Sequence, residues 1–194
     1  MCQRILSVVS QYLFTTPRLR FRLWQEDDLE AFAAQNADPR VMEFFPAPWT
    51  FEESRAAMDR VRAHQAEHGF GIWLMELRES GRFAGSMGLK TVPAEFPFSP
   101  AVEIGWRLDP DLWGQGLATE GARACLEHGF GPLGLGEIVS FTAVLNKRSE
   151  RVMQRLGMEC CGQFDHPAIA PGHPLRPHVL YRMPRDQCAA RILP

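Results

Sequence analysis

The amino-acid order predicts a mixed α/β sheet with helices on both faces. Three observations carry that prediction. Hydrophobic periodicity switches between two and about 3.6, in the order strand, two helices, three strands, helix, strand, helix, two strands. A strand, a short glycine-bearing loop and a helix follow one another across Leu108 to Glu120. The bulk composition, 45% hydrophobic and 23% charged over 194 residues, suits one globular domain that buries a core without disulfides or metals.

The first strand is read from Leu19, Phe21 and Leu23 alternating with Arg18, Arg20 and Arg22. A helix from Glu26 to Asn36 is broken by Asp38-Pro39. Phe44-Phe45-Pro46-Ala47-Pro48-Trp49 is too proline-rich for regular structure; it serves either as a substrate wall or as a loop pinned into the core by its aromatics. Thr50 and Glu53 form a capping box that opens a helix to about His68, stopped by Gly69. Phe70 to Leu77 and Arg82 to Lys90 are strands joined at Glu79-Ser80-Gly81. A proline-rich loop, Thr91 to Pro100, leads to a strand from Ala101 to Leu108 and a helix from Leu117 to about Phe130. Glu137 to Leu145 reads as a strand, and Lys147 to Leu156 as a helix stopped by Gly157. Met158 to Phe164 and His178 to Met183 are the last strands, separated by a loop carrying Pro167, Pro171, Pro174 and Pro177. No repeat or linker divides the chain, so one domain is expected over 1–194, with its core at about 16–183.

The formal net charge is −2 and the arginines are scattered, which argues against nucleic-acid or membrane partners. Five cysteines, Cys2, Cys125, Cys160, Cys161 and Cys188, include no CxxC pair, which points to a reducing compartment and a cytoplasmic location. No apolar run reaches the roughly 18–20 residues of a membrane span, and Met1 to Phe14 lacks a signal-peptide cleavage pattern. His166, His173 and His178 fit no regular metal spacing, so no metal is expected; His166 or His173 would instead border an acceptor. Cys125, Cys160 and Cys161 read as small apolar core residues, which disfavours a covalent acyl-cysteine.

The chemistry concentrates in Leu108-Asp109-Pro110-Asp111-Leu112-Trp113-Gly114-Gln115-Gly116-Leu117-Ala118-Thr119-Glu120. Gly114 and Gly116 remove Cβ atoms that would hold a ligand off the backbone. The free amides of the following helix and its dipole form an anion site suited to phosphate. No GK[ST] follows, so this is not a Walker loop. Thr119 stands where a G-x-G-x-x-G fingerprint needs its third glycine.

The segment Trp113 to Glu120 resembles the pyrophosphate loop of the GNAT N-acetyltransferase superfamily, in particular its RimJ/RimL-type branch. Gly116 and Ala118 match the last two positions of the pattern Gln/Arg-x-x-Gly-x-Gly/Ala, and Trp113 replaces the Gln/Arg, a departure familiar in that branch. Pro17-Arg18-Leu19, Glu103-Ile104-Gly105-Trp106, and Asn146-Lys147-Arg148-Ser149 with Leu156-Gly157-Met158 resemble three further family segments in the right order. The resemblance implies a mostly antiparallel sheet of about six to seven strands containing a splayed parallel pair. It implies that acetyl-CoA is the acyl donor. The pantetheine arm would lie along the backbone of Ile104, Gly105, Trp106, Arg107 and Leu108, and the pyrophosphate on Trp113, Gly114, Gln115, Gly116, Leu117, Ala118 and Thr119. Asn146 would help hold the coenzyme, although Asn before a helix is also a preferred N-cap. Ser149 would protonate the leaving thiolate. The resemblance also admits a homodimer.

Direct transfer through a ternary complex requires a neutral amine, so a proton must be removed. Glu103 is the candidate base: it shares a strand face with Gly105, and burial on an apolar strand raises a carboxyl pKa. Glu120, one turn into the helix, reads instead as a stabiliser of that helix's N-terminus. The acceptor is a primary amine, either a protein N-terminus or a small molecule such as an aminoglycoside-like or polyamine compound. Glu43, Glu95 and Arg40 on the acceptor-side loops do not choose between them. The competing classes are a non-catalytic CoA-binding regulatory module and a nucleotide-binding protein; the missing Walker lysine argues against the latter.

Overall fold

A computed structural model describes residues 12–191. Its eight strands are β1 (Phe14–Thr15), β2 (Leu19–Arg22), β3 (Ile72–Leu77), β4 (Phe83–Thr91), β5 (Val102–Leu108), β6 (Glu137–Ala143), β7 (Glu159–Asp165) and β8 (Pro177–Pro184). They form one sheet in the order β1-β2-β3-β4-β5-β6-β8-β7. Five α-helices accompany it: α1 (Leu29–Ala37), α2 (Phe51–His68), α3 (Leu117–Phe130), α4 (Lys147–Leu156) and α5 (Arg185–Arg191).

The sheet alternation assigns the faces. On β3, Trp73 and Met75 join the core shared by Leu117, Ala122, Cys125 and Leu126 of α3 and by Val152, Met153 and Leu156 of α4. Leu74, between them, points the other way and packs with Leu29, Phe32, Ala57 and Met58 of α1 and α2. The helices therefore cover both faces, as expected. Thr50 accepts from Glu53 N while the Glu53 carboxylate receives Thr50 N, and Gly69 closes α2 with φ 77°. Arg22 ties the sheet to the start of α1, holding Asp28 at 2.6 Å and Glu76 at 2.6 Å with all three side chains largely buried.

Differences from the sequence reading are local. The sheet has one strand more than expected, because Phe14 pairs with Phe21 and Thr15 with Arg20; two residues are too few to display a period. Helix α5 follows β8 directly, at Pro184-Arg185, and was not expected from the sequence. Strand β6 stops at Ala143, where the Asn146 N–H turns back onto the Ala143 carbonyl. Cys125 is buried, but Cys160 and Cys161 are exposed on the outermost strand, so the core reading fails for that pair.

All the strand pairings but one are antiparallel. The exception is β5–β6, a parallel pair in register only at Glu103 and Val139. Just beyond, Ser140 Oγ donates to the Ile104 carbonyl at 3.0 Å, and the two strands then part.

Candidate active site

A cavity of about 1010 Å³ opens where β5 and β6 separate. Its floor is β5. Register with β4 sets Lys90 opposite Glu103 and Ser86 opposite Arg107, so Glu103, Gly105 and Arg107 share one face. A Cβ built on Gly105 would meet only Glu103 Oε1, at 3.7 Å. The strip between Glu103 and Arg107 is bare.

Glu103 is 6% exposed. Lys90 Nζ lies 3.1 Å from Oε2, yet that oxygen lacks an aligned hydrogen bond, so the contact is an ion pair of poor geometry. Burial pushes the Glu103 pKa up, and Lys90 opposes it only in part. The partner is a half-exposed lysine rather than the arginine that an ordinary strand-end pair would use.

The five β5 residues divide by backbone direction. The Ile104 carbonyl accepts from Ser140 and the Leu108 carbonyl accepts from the Trp113 indole at 3.1 Å, so both face away from β4. By alternation the Trp106 N–H and C=O face the widening gap, whereas Gly105 and Arg107 turn theirs toward β4.

The loop after β5 is held from outside. Glu120 accepts from Thr16 Oγ1 at 2.6 Å, Arg18 N at 2.9 Å and Arg18 Nε at 2.6 Å, and Arg18 donates to the Gln115 carbonyl at 2.8 Å. Burial works against the Glu120 charge, but these donors outweigh it and hold its pKa below the usual range. Glu120 thus stitches the β1–β2 turn to α3 rather than capping the helix amides. Gly114 and Gly116 adopt φ 76° and 79°. A Cβ on Gly114 would meet nothing and one on Gly116 only Arg18 at 3.6 Å, so left-handed backbone, more than steric clearance, requires glycine at both. Gly116 is the N-cap of α3 and supplies no side-chain cap, while Leu117, Ala118 and Thr119 line the cavity with their first-turn amides uncapped.

Across the gap, Asn146 caps α4: its Oδ1 accepts from Ser149 N at 3.2 Å, and its Nδ2 donates to Ser149 Oγ at 3.2 Å. The serine hydroxyl accepts there, which leaves its proton for another partner. Arg148 pairs with Glu43 and stands 4.7 Å over the Trp113 ring. It joins α4 to the aromatic loop over the cavity mouth.

These features meet a family match. Residues 18–159 match the acetyltransferase (GNAT) domain. The chain belongs to the GNAT acetyltransferase family. It is 31% identical over 160 residues to the FsC-acetyl coenzyme A-N(2)-transacetylase of Aspergillus fumigatus, covering 79% of this chain and 67% of that one. A GNAT-family acetyltransferase from Bacillus anthracis superposes with TM-score 0.74 at 25% identity, covering 89% of this chain and 98% of its own. RimL, a ribosomal L7/L12 α-N-protein acetyltransferase solved with coenzyme A, shares the fold at TM-score 0.73 and 19% identity, over 91% and 99% of the two chains.

The GNAT fold gathers nearly all the residues singled out from sequence. Glu103, Ile104, Gly105, Trp106, Arg107, Leu108, Trp113, Gly114, Gly116, Leu117, Ala118, Thr119, Asn146 and Ser149 line one cavity; Gln115 is outside that lining, its carbonyl held by Arg18 and its side chain on the Asp111 carbonyl. Phe44, Phe45, Pro46 and Trp49 line it too, while the Trp49 N–H bonds the Asn36 carbonyl, so the aromatic loop is both wall and anchored segment. His166 lines the cavity beside His178, with ring centroids 4.8 Å apart, whereas His173 Nδ1 is used inside its own turn. Burial and His178 lower the His166 pKa to about 4. No group of three or more metal-ligating side chains assembles among the described residues, and no described helix is long and apolar enough to cross a membrane. Sequence reasoning missed Lys90, Ser140, Asn36 and the Thr16–Arg18–Glu120 clamp, since each acts through a contact distant in the chain. The β4–β5 register alone would have paired Lys90 with Glu103.

Proposed function

We propose that this acetyltransferase transfers acetyl from acetyl-CoA directly to a primary amine in a ternary complex, with Glu103 as the base. The observation that carries the reading is the buried, incompletely paired Glu103 carboxylate, set where β5 and β6 part and where Gly105 leaves the strand bare. The surroundings fit the coenzyme. The Trp106 backbone groups face the gap, Leu117 to Thr119 line the cavity with their first-turn amides uncapped, and Arg148, Arg151 and Arg155 line it too.

Bound acetyl-CoA supplies an activated thioester carbonyl. The remaining work falls to the chain. Its amides orient the donor and offer N–H groups to developing negative charge. Glu103, with its pKa raised toward working pH, takes the proton that the attacking amine must lose. Ser149, whose oxygen already accepts from Asn146, donates its proton toward the departing sulfur. The acceptor is a protein N-terminus or a small-molecule amine; the α-N-protein acetyltransferase activity of RimL supports the first.

The test is thermal unfolding with acetyl-CoA, CoA or ATP, for the native chain and for Thr119→Glu. A glutamate in the first turn favours the helix dipole but repels a phosphate at the same amides. A ligand at about 100 times its Kd adds roughly 2.7 kcal/mol. A rise of several degrees with both CoA species, absent with ATP and lost in Thr119→Glu, is expected. No rise with millimolar CoA would sink the reading.

A further inference from the structure

We propose that the acceptor carries a carboxylate and that Arg107 is its receptor. This inference rests on the acetyl-transfer reading and specifies the amine.

Arg107 lies on the Glu103 face of β5, two pleats further along, with only Gly105 between them. Its guanidinium is fixed in place. One N–H donates to Asn36 Oδ1, and the plane stands 4.4 Å from the Phe45 ring and 4.7 Å from the Trp49 ring. Asn36 is itself fully buried and held to Ser54 Oγ at 3.2 Å, so the arginine rests on a rigid support. The buried arginine Arg22 has two carboxylates. Arg107 has none within 4 Å among the described residues, and burial lowers its pKa to about 10 with no acid opposing the shift. A partly buried cation gains from a partner, and the planar fork of arginine suits a carboxylate.

Elsewhere in the cavity lining, Arg40 is paired with Asp38 and Lys90 with Glu103, and Glu103 is the one acidic lining residue. Such a wall offers a polycationic acceptor a single carboxylate. It also separates the tasks along the strand: the amine sits at Glu103, the anion at Arg107, and the intervening atoms cross Gly105. The two Cα atoms are about 13 Å apart at the usual strand rise, and both side chains reach inward, so amino acids and short peptides fall within the span. A phosphate of the coenzyme is the other anion that could meet Arg107. The Arg107 carbonyl, however, turns toward β4, away from the gap, and its side chain packs on the α1–α2 loop.

The experiment measures kcat/KM for a panel of amino acids and glycyl dipeptides, each as the free acid and as the C-terminal amide, with CoA affinity followed separately. In the native enzyme the free acids should exceed their amides by about tenfold or more. Arg107→Met should level each pair by lowering the free acid, and leave the Kd for CoA within about threefold. Arg107→Lys, which keeps the charge but not the fork, should recover part of the preference and serves if the methionine variant does not fold. Equal or better use of amides by the native enzyme overturns the proposal. So does a tenfold loss of CoA affinity in a folded variant with the acid preference intact, which would assign Arg107 to the coenzyme. Acetylation of amides alone leaves the transfer reading standing, whereas CoA binding with no acetylated amine anywhere in the panel sinks both.

Discussion

Replacing Glu103 by glutamine tests the proton-transfer step with little disturbance of shape. Folding should tolerate the change. The folded-state pKa of Glu103 lies above its unfolded value, so between the two the folded chain holds the extra proton and stability falls as pH rises. Above the folded-state pKa the ionised carboxylate therefore opposes folding, and Gln removes that cost. Lys90 is half-exposed and keeps its water. The expected melting temperature is unchanged or slightly higher, with the CoA-induced shift retained. Activity should fall by the worth of a positioned general base, about 10²–10⁴ in kcat/KM, or about 2.7–5.4 kcal/mol of barrier. The pH profile is the sharper readout. In the native enzyme kcat/KM should climb as Glu103 deprotonates, with its midpoint above the usual carboxyl range. In Glu103→Gln that limb should vanish, leaving only the limb that follows the pKa of whichever amine is used. A folded, CoA-binding variant that keeps more than about a tenth of the native rate, with the same limb, refutes the assignment of Glu103 as base.

Three further outcomes follow from the fold. Arg22→Met strands Asp28 and Glu76 beside each other without their cation and should cost about 3–5 kcal/mol, or roughly 10 °C, in a melting experiment. Gly85→Ala requires a side chain at φ 133° whose Cβ would lie 2.1 Å from the Arg107 carbonyl and 2.9 Å from Leu108 Cα; because these are backbone atoms, urea unfolding should show a loss of about 3 kcal/mol or more together with reduced activity. His166 holds its proton less tightly folded than unfolded, so stability should decline as pH falls from about 6.5 to about 4, and His166→Gln should flatten that decline in an acid-unfolding titration.

The elements and the glycine loop after β5 were legible because their signals are local. Thr50 and Glu53 announce α2, Gly69 and Gly157 end helices, and alternation along Val102 to Leu108 places Glu103 beside Gly105. The resemblance of Trp113 to Glu120 to a known loop gave the coenzyme reading, but not the reason for its glycines, which is left-handed backbone. Contacts between distant segments stayed hidden. Nothing in sequence spacing brings Arg18 to Gln115, 97 residues away, or Asn36 to Arg107, 71 residues away. The exposure of Cys160 and Cys161 depended on β7 ending the sheet, with β8 inserted between it and β6, and strand order is not written in local periodicity.

The parting of β5 and β6 explains why this site belongs in the middle of the sheet rather than at a loop tip. A central strand normally pairs on both edges, and a buried N–H or C=O without a partner costs about 1–3 kcal/mol. Here the pairing stops after Glu103 and Val139; Ser140 covers the Ile104 carbonyl and the Trp113 indole covers that of Leu108. Trp106, between them, faces the gap with its own N–H and C=O. Both neighbouring carbonyls are satisfied by side chains of this chain, which confines the unmet backbone demand to the length of a short extended ligand. On the proposed reading, an extended amide-bearing arm would satisfy that demand as an added strand does, at little cost in fit, because β4 already holds the edge straight. The same geometry sets Glu103 at the closed end of the slot and the uncapped amides of α3 at its open end. On the proposed acetyl-transfer reading, proton removal, acyl-arm pairing and phosphate binding would follow one another along one strand and the turn after it.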